Sequence, residues 1–236
     1  MRTGVVYARE SLGDTLTFIV SGKLWRNGLV MQDRETETLW SQPIGEAMEG
    51  PLMGRLLEPL PSVQTTWSEW NSAHPESDVL RKKEEVTHSV YQRYFDDSDR
   101  MGIFPIHWDA DRLPAKILVH GLRHWPHTLA ITEDTLSAGY PLHASLGEHP
   151  IVAFRGSDGG VRAFSTRVGS RSLTFEATER EGPIRDQETG SSWDLTRGYC
   201  TAGPCAGAEL TEEVVRTAFW FAWSAFYPET DVISGQ

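Results

Sequence analysis

The chain has 236 residues, of which 39% are hydrophobic and 23% charged, the balance of a folded globular protein rather than a disordered one. A formal net charge of −11 opposes nucleic acid and anionic membrane as partners, and the basic cluster Arg81-Lys82-Lys83 runs directly into Glu84-Glu85. No stretch nears the ~20 apolar residues of a membrane span, the first seven residues lack the apolar core of a secretory signal, and two cysteines are too few for a disulfide framework, so the expected compartment is the cytoplasm.

In chain order, residues 16–20, 29–32 and 38–41 are rich in β-formers and predict short strands. Residues 67–74 predict a helix that carries Trp67 and Trp70, with Thr65 or Thr66 as its N-cap and Pro75 as its stop. Residues 117–121 and 151–154 read as strands, and Ser157-Asp158-Gly159-Gly160 as a hairpin turn.

The two halves share one pattern. Setting residues 33–79 against 186–232, 153 positions apart and without a gap, pairs Asp33 with Asp186, Thr36 with Thr189 and Trp40 with Trp193. The same register pairs Gly50 with Gly203, Trp67 with Trp220, Trp70 with Trp223 and Pro75 with Pro228. Leu16-Thr17-Phe18 matches Leu173-Thr174-Phe175 after a further shift of four residues. Taken alone, Thr211-Glu212-Glu213-Val214 looks like a helix start. Its partner Glu58-Pro59-Leu60-Pro61 forbids a helix, so residues 210–216 are expected to be extended. The second helix is then expected over residues 218–227, with Thr217 as cap. The fold class that follows is α+β: two pseudo-symmetric β-rich modules, about 3–80 and 151–233, each with a strand meander and one Trp-rich helix. A connector, 81–150, joins them, and the whole is expected to pack as one body, a monomer or homodimer.

Phe18-Ile19-Val20-Ser21-Gly22, Asp33-Arg34-Glu35-Thr36 and Leu39-Trp40-Ser41-Gln42 resemble a prokaryotic family known as domain of unknown function 3179. Gly50-Pro51-Leu52-Met53-Gly54, Thr66-Trp67-Ser68-Glu69-Trp70 and Asp111-Arg112-Leu113-Pro114 continue the resemblance over most of the chain. It implies no settled activity. Members carry a Cys-Pro-Leu-Cys-type motif ahead of the strand that here begins at Thr3, and the equivalent stretch of copy two, Phe154-Arg155-Gly156-Ser157, has no cysteine. The resemblance therefore transfers no thiol or metal chemistry. It also implies that many relatives are exported, against the cytoplasmic expectation.

Asp33 and Asp186 each precede a threonine by three residues, the spacing of an Asx-type turn. If both faced one cleft, their pKa values would separate into one acid and one base. On that reading Asp33 or Asp186 is the base, His107 shuttles a proton, and Arg34 or Arg112 orients an anionic group. Arg34 and Gln42 become Gln187 and Leu195 in copy two, the loss of polarity that a single asymmetric site would produce. Trp40, Trp67, Trp70, Trp193, Trp220 and Trp223 are candidates for the wall of that site, although a tryptophan stripe on a helix is more often core. Cys200 and Cys205 align with Ala47 and Leu52 and read as small buried residues before a redox pair. His120 and His124 are four apart, but Gly121 and Trp125-Pro126 oppose a helix there, and no metal site is predicted.

Walker-type, Gly-x-Gly-x-x-Gly, Gly-x-Ser-x-Gly and His-Glu-x-x-His patterns are missing, so no organic cofactor is expected. The expected function is small-molecule binding in a pocket between the modules, with acid–base chemistry of the lyase, isomerase or cyclase kind. One alternative is a non-catalytic binding or assembly module. A weaker one is a metal-dependent enzyme using His107, His120, His124, His127 and His143.

Overall fold

The computed structural model describes residues 1–11, 13–80, 91–105, 111–137, 139–177 and 183–235. The protein is mostly β, with several small antiparallel sheets and, among the described residues, three short helices. In copy one, strands Phe18–Trp25, Gly28–Asp33, Leu39–Ser41 and Ala47–Glu49 form an antiparallel meander. Its first hairpin turns through Arg26 and Asn27 at φ of 50° and 60°. That is the mirror-image turn whose twist suits two paired strands. Copy two repeats the meander with Phe175–Ala177, Ile184–Asp186, Ser192–Asp194 and Tyr199–Ala202.

The recurrence extends past the meanders. The hairpin Glu10–Ser11/Asp14–Thr15 returns as Arg167–Val168/Arg171–Ser172, and the helix Trp67–Ala73 returns as Trp220–Phe226. Leu16, Trp40, Ala47 and Leu57 form the apolar cluster under one meander, and Leu173, Trp193, Cys200 and Leu210 take the same places under the other. A Cβ on Gly45 would lie 2.6 Å from the Tyr7 ring, and one on Gly198 would lie 2.5 Å from the Phe164 ring. Both glycines have positive φ, 76° and 67°, so the turn and the ring each demand glycine. Both thiols are free; Cys200 is buried where copy one has Ala47, and Cys205 packs on the cluster where copy one has Leu52.

The chain groups into two compact units whose boundaries cross those of the copies. Unit one comprises Met1–Ser62, Gly102–Thr135 and the chain from Glu213; unit two comprises Val63–Met101 and Leu136–Glu212. Each unit therefore holds the meander of one copy and the tryptophan helix of the other.

In unit one, strands Arg216–Phe219, Leu118–His124, His127–Thr132 and Asp231–Ile233 make a four-stranded sheet, the last pair parallel. The Trp220–Phe226 helix packs on it through Gly121, where a Cβ would lie 2.2 Å from the Trp223 ring. Trp220 and Phe221 are fully buried. The expected Thr217 cap is corrected here: pairing with Leu118–His124 carries the strand on to Phe219, and the helix starts without a side-chain cap. Tertiary pairing outweighs the local cap signal.

In unit two the Trp67–Ala73 helix starts as expected, with a capping box between Thr66 and Glu69. None of its residues is buried, and Trp67 is 53% exposed. The core reading of the tryptophan stripe thus fits copy two and fails for copy one. The copy-two helix packs on the hairpin of Leu118–His124 and His127–Thr132, which falls in the connector and belongs to unit one.

Candidate functional site

Strand Arg216–Phe219 feeds directly into the Trp220–Phe226 helix, and this junction shapes a narrow crevice within unit one. Copy one contributes Thr3 and Pro43 to its lining, and copy two contributes Arg216, Ala222, Trp223 and Tyr227. Helical spacing brings Trp223 and Tyr227 onto one face with their rings 4.3 Å apart, and the indole N–H donates to Thr230 Oγ1 at 3.1 Å.

Arg216 is 4% exposed. Its Nη1 donates to the Pro43 carbonyl at 2.9 Å and to the Tyr227 hydroxyl at 3.1 Å, and its guanidinium lies 5.9 Å from the centre of the Tyr7 ring. The Nε has no hydrogen-bond partner among the described residues, and no described carboxylate lies within ion-pair reach of the guanidinium. Tyr7 donates to the Gln42 carbonyl at 2.9 Å. Burial pushes its pKa up to about 12, with the Arg216 charge opposing and Tyr227 assisting, so the hydroxyl keeps its proton. The result is a buried cation with unused donor capacity beside an aromatic wall. Such a group is costly without an anion and suits a carboxylate or phosphate.

The carboxylates singled out from sequence are committed elsewhere. Asp33 is fully buried; it accepts from Thr36 N–H at 2.6 Å, Thr36 Oγ1 at 2.8 Å and the Trp40 indole at 2.7 Å. Asp186 repeats this with Thr189 N–H at 2.5 Å, Thr189 Oγ1 at 2.8 Å and Trp193 at 2.8 Å. Their geometry is that of the Asx-type turn. Burial alone would raise both pKa values, but the indole and threonine donors outweigh it and hold both carboxyls below the usual range. Asp158 is also held low, chiefly by Arg162.

A depressed folded pKa makes a contribution to stability that is complete above the ordinary carboxylate value of about 4 and is lost as pH falls through the folded value. The thermal midpoint is therefore expected to change little between about pH 6 and 5 and to drop steeply below about pH 4. A midpoint that holds level to about pH 3 would contradict this account of the turns.

Trp40 and Trp193 are buried partners of those carboxylates, Arg34 is exposed, and Gln42 is half-buried with its carbonyl taken by Tyr7. Trp67 and Trp70 belong to unit two, where Trp70 donates to Ser77 at 2.9 Å. Trp220 is core, and Arg112 bonds the Thr230 carbonyl at 2.5 Å while its guanidinium lies 5.4 Å from the Trp220 ring centre. His107 lies outside the described residues. His120 Nδ1 is 3.1 Å from Thr217 Oγ1, and His143 Nε2 contacts the Phe175 backbone at 3.0 Å.

Of the sequence candidates, the crevice thus contains Trp223. Sequence reasoning passed over Arg216, Ala222 and Tyr7. A signal was present: in the repeat register Arg216 stands against Val63 and Ala222 against Glu69, and in the shifted upstream register Tyr7 stands against Phe164.

One family, described as "Protein of unknown function (DUF3179)", matches residues 1–230. No curated protein and no solved structure matches the chain. No helix among the described residues is long and apolar enough to cross a membrane.

Proposed function

The chain belongs to the DUF3179 family, and from its buried Arg216 we propose that it binds a small anionic molecule in the crevice of unit one. The observation that carries this reading is a cation 4% exposed, with an unpartnered Nε and no described carboxylate in reach, on the wall of an aromatic crevice. A protein interior seldom keeps such a group unless something else answers its charge. Pockets for small molecules have this make-up of apolar walls with few, well-placed polar groups. We read the chain as two pseudo-symmetric copies of one β-rich module, of which this junction alone developed the site. Asp33 and Asp186 support it only as anchors of the turns beneath the meanders.

The test is a thermal-shift series with acetate, benzoate, sulfate and inorganic phosphate on the wild-type chain and on Arg216→Met. An anion at about ten times its Kd should stabilise the wild type by about 1.4 kcal/mol, a rise in midpoint of about 3–6 °C. Arg216→Met removes the charge-assisted hydrogen bonds and should weaken that anion by about tenfold or more. An equal shift in both proteins would place the anion elsewhere and refute the reading.

A further inference from the structure

We propose that the outer edge of the strand through Val6 and Tyr7 is a dimerisation surface, and that it takes the same edge of a second copy of this chain, antiparallel about a twofold axis at Val6. Within unit one, Val6 and Tyr7 pair with Leu60 and Pro59 in a ribbon of two strands. Ala8 N–H donates to the Glu58 carbonyl at 2.9 Å, so Val6 and Ala8 turn their backbone groups to that partner, and Val5 and Tyr7 turn theirs outwards. Among the described residues, no strand and no hydrogen bond takes those outward groups.

A ribbon of two strands is marginal by itself, and the corresponding place in unit two shows a completed sheet. The upstream register sets Val6 against Ala163 and Tyr7 against Phe164. Their strand, Val161–Ser165, has Glu212–Glu213 on one side and His149–Arg155 on the other, with Leu142–Leu146 as the fourth member. Burial records the difference: Ala163 is fully buried, whereas Val6 is 47% exposed. Edges that stay single usually carry a guard, such as a charge, a proline or a bulge. The edge Phe18–Trp25 has Lys23 and a register shift between Val20 and Leu24. Thr3-Gly4-Val5-Val6-Tyr7-Ala8 has neither a charge nor a proline.

Charge complementarity selects a second copy as the occupant. Arg2 and Glu10 are both exposed and stand four residues to either side of Val6. An antiparallel pair centred on Val6 therefore sets each Arg2 opposite the partner's Glu10, twice in the dimer. Centring the pair between Val5 and Val6 instead would set Arg2 against the partner's Arg9. The Val6 centre also suits the backbone. It makes Val5 and the partner's Tyr7 a hydrogen-bonded pair and leaves the two Val6 side chains as a close, non-hydrogen-bonded pair. Leu60 and Val6 of each copy then form one apolar row across four strands, as many as unit two has in its sheet.

The experiment is sedimentation velocity on the full chain over a concentration series, for the wild type, Val6→Lys, Arg2→Glu, Glu10→Arg and the double variant Arg2→Glu/Glu10→Arg. The wild type should pass from monomer to dimer as concentration rises. Val6→Lys brings two ammonium groups together on the axis and should weaken the dimer about tenfold or more. Each single charge reversal sets like charges opposite each other at both ends and should weaken it about fivefold or more, whereas the double variant should return to within about twofold of the wild type. A chain that stays monomeric at every concentration overturns the proposal. So does a dimer that Val6→Lys leaves intact, which would lie on another surface, or a double variant no better than the single ones. Arg2 and Glu10 are exposed, so the charge-reversal series decides the question even if Val6→Lys does not fold.

Discussion

Asp33→Ala is expected to destabilise the fold by about 3–5 kcal/mol, and Asp186→Ala by a similar amount, read as chemical denaturation midpoints. Each carboxylate gathers a backbone N–H, a threonine hydroxyl and an indole N–H, all at 2.5–2.8 Å and out of water. Removing the acceptor leaves the indole and the backbone donor buried without a partner, which costs about 1–3 kcal/mol for each group. Asn in place of Asp keeps one acceptor but turns an NH₂ towards a donor, so Asp33→Asn should still cost about 1–3 kcal/mol. The competing view, with Asp33 as a catalytic base, expects the reverse pattern. A stable Asp33→Asn that no longer binds benzoate would favour that view over the scaffold assignment.

The second large effect separates the two copies. Trp220→Ala should cost about 3–5 kcal/mol, the range for truncating a buried large aromatic, whereas Trp67→Ala should stay within about 1 kcal/mol. The two residues share a register position, each opening its own helix, yet one is fully buried and the other is 53% exposed. Equal losses at both positions would mean that the tryptophan helices are packed alike, contrary to the structure. Thermal melts of the two variants beside the wild type are enough to decide this.

Much of the local architecture was legible from residue patterns. The strand meander, the Thr66 cap of the first helix, the extended segment before the second and the turn at residues 157–160 all follow from period-2 patterning, capping chemistry and proline. The string Asp-Arg-Glu-Thr of copy one also acquires a physical meaning. Asp33 anchors the turn and the indole, while Glu35 accepts from the Thr17 N–H at 2.7 Å, as Glu188 does from Thr174 at 2.8 Å in copy two. The candidate site was legible only as an expectation that residues of both copies would meet around tryptophan. Arg216 was missed because an arginine beside Val214 and Val215 looks like an ordinary strand residue, and no local pattern shows whether its partner is a carboxylate.

By itself, the sequence determined the meander strands, the two tryptophan helices and the two carboxylate turns, because those depend on contacts within a few dozen residues and on backbone chemistry at fixed positions. Only the tertiary structure decided which helix serves which meander, why Trp220 is core while Trp67 is exposed, and that Arg216 is buried without an acid. Those outcomes depend on the connector hairpin, residues 118–132, and on pairings that span from Pro43 to Arg216. Burial and charge balance are properties of the surroundings a side chain acquires on folding, and two residues in the same register can acquire opposite ones.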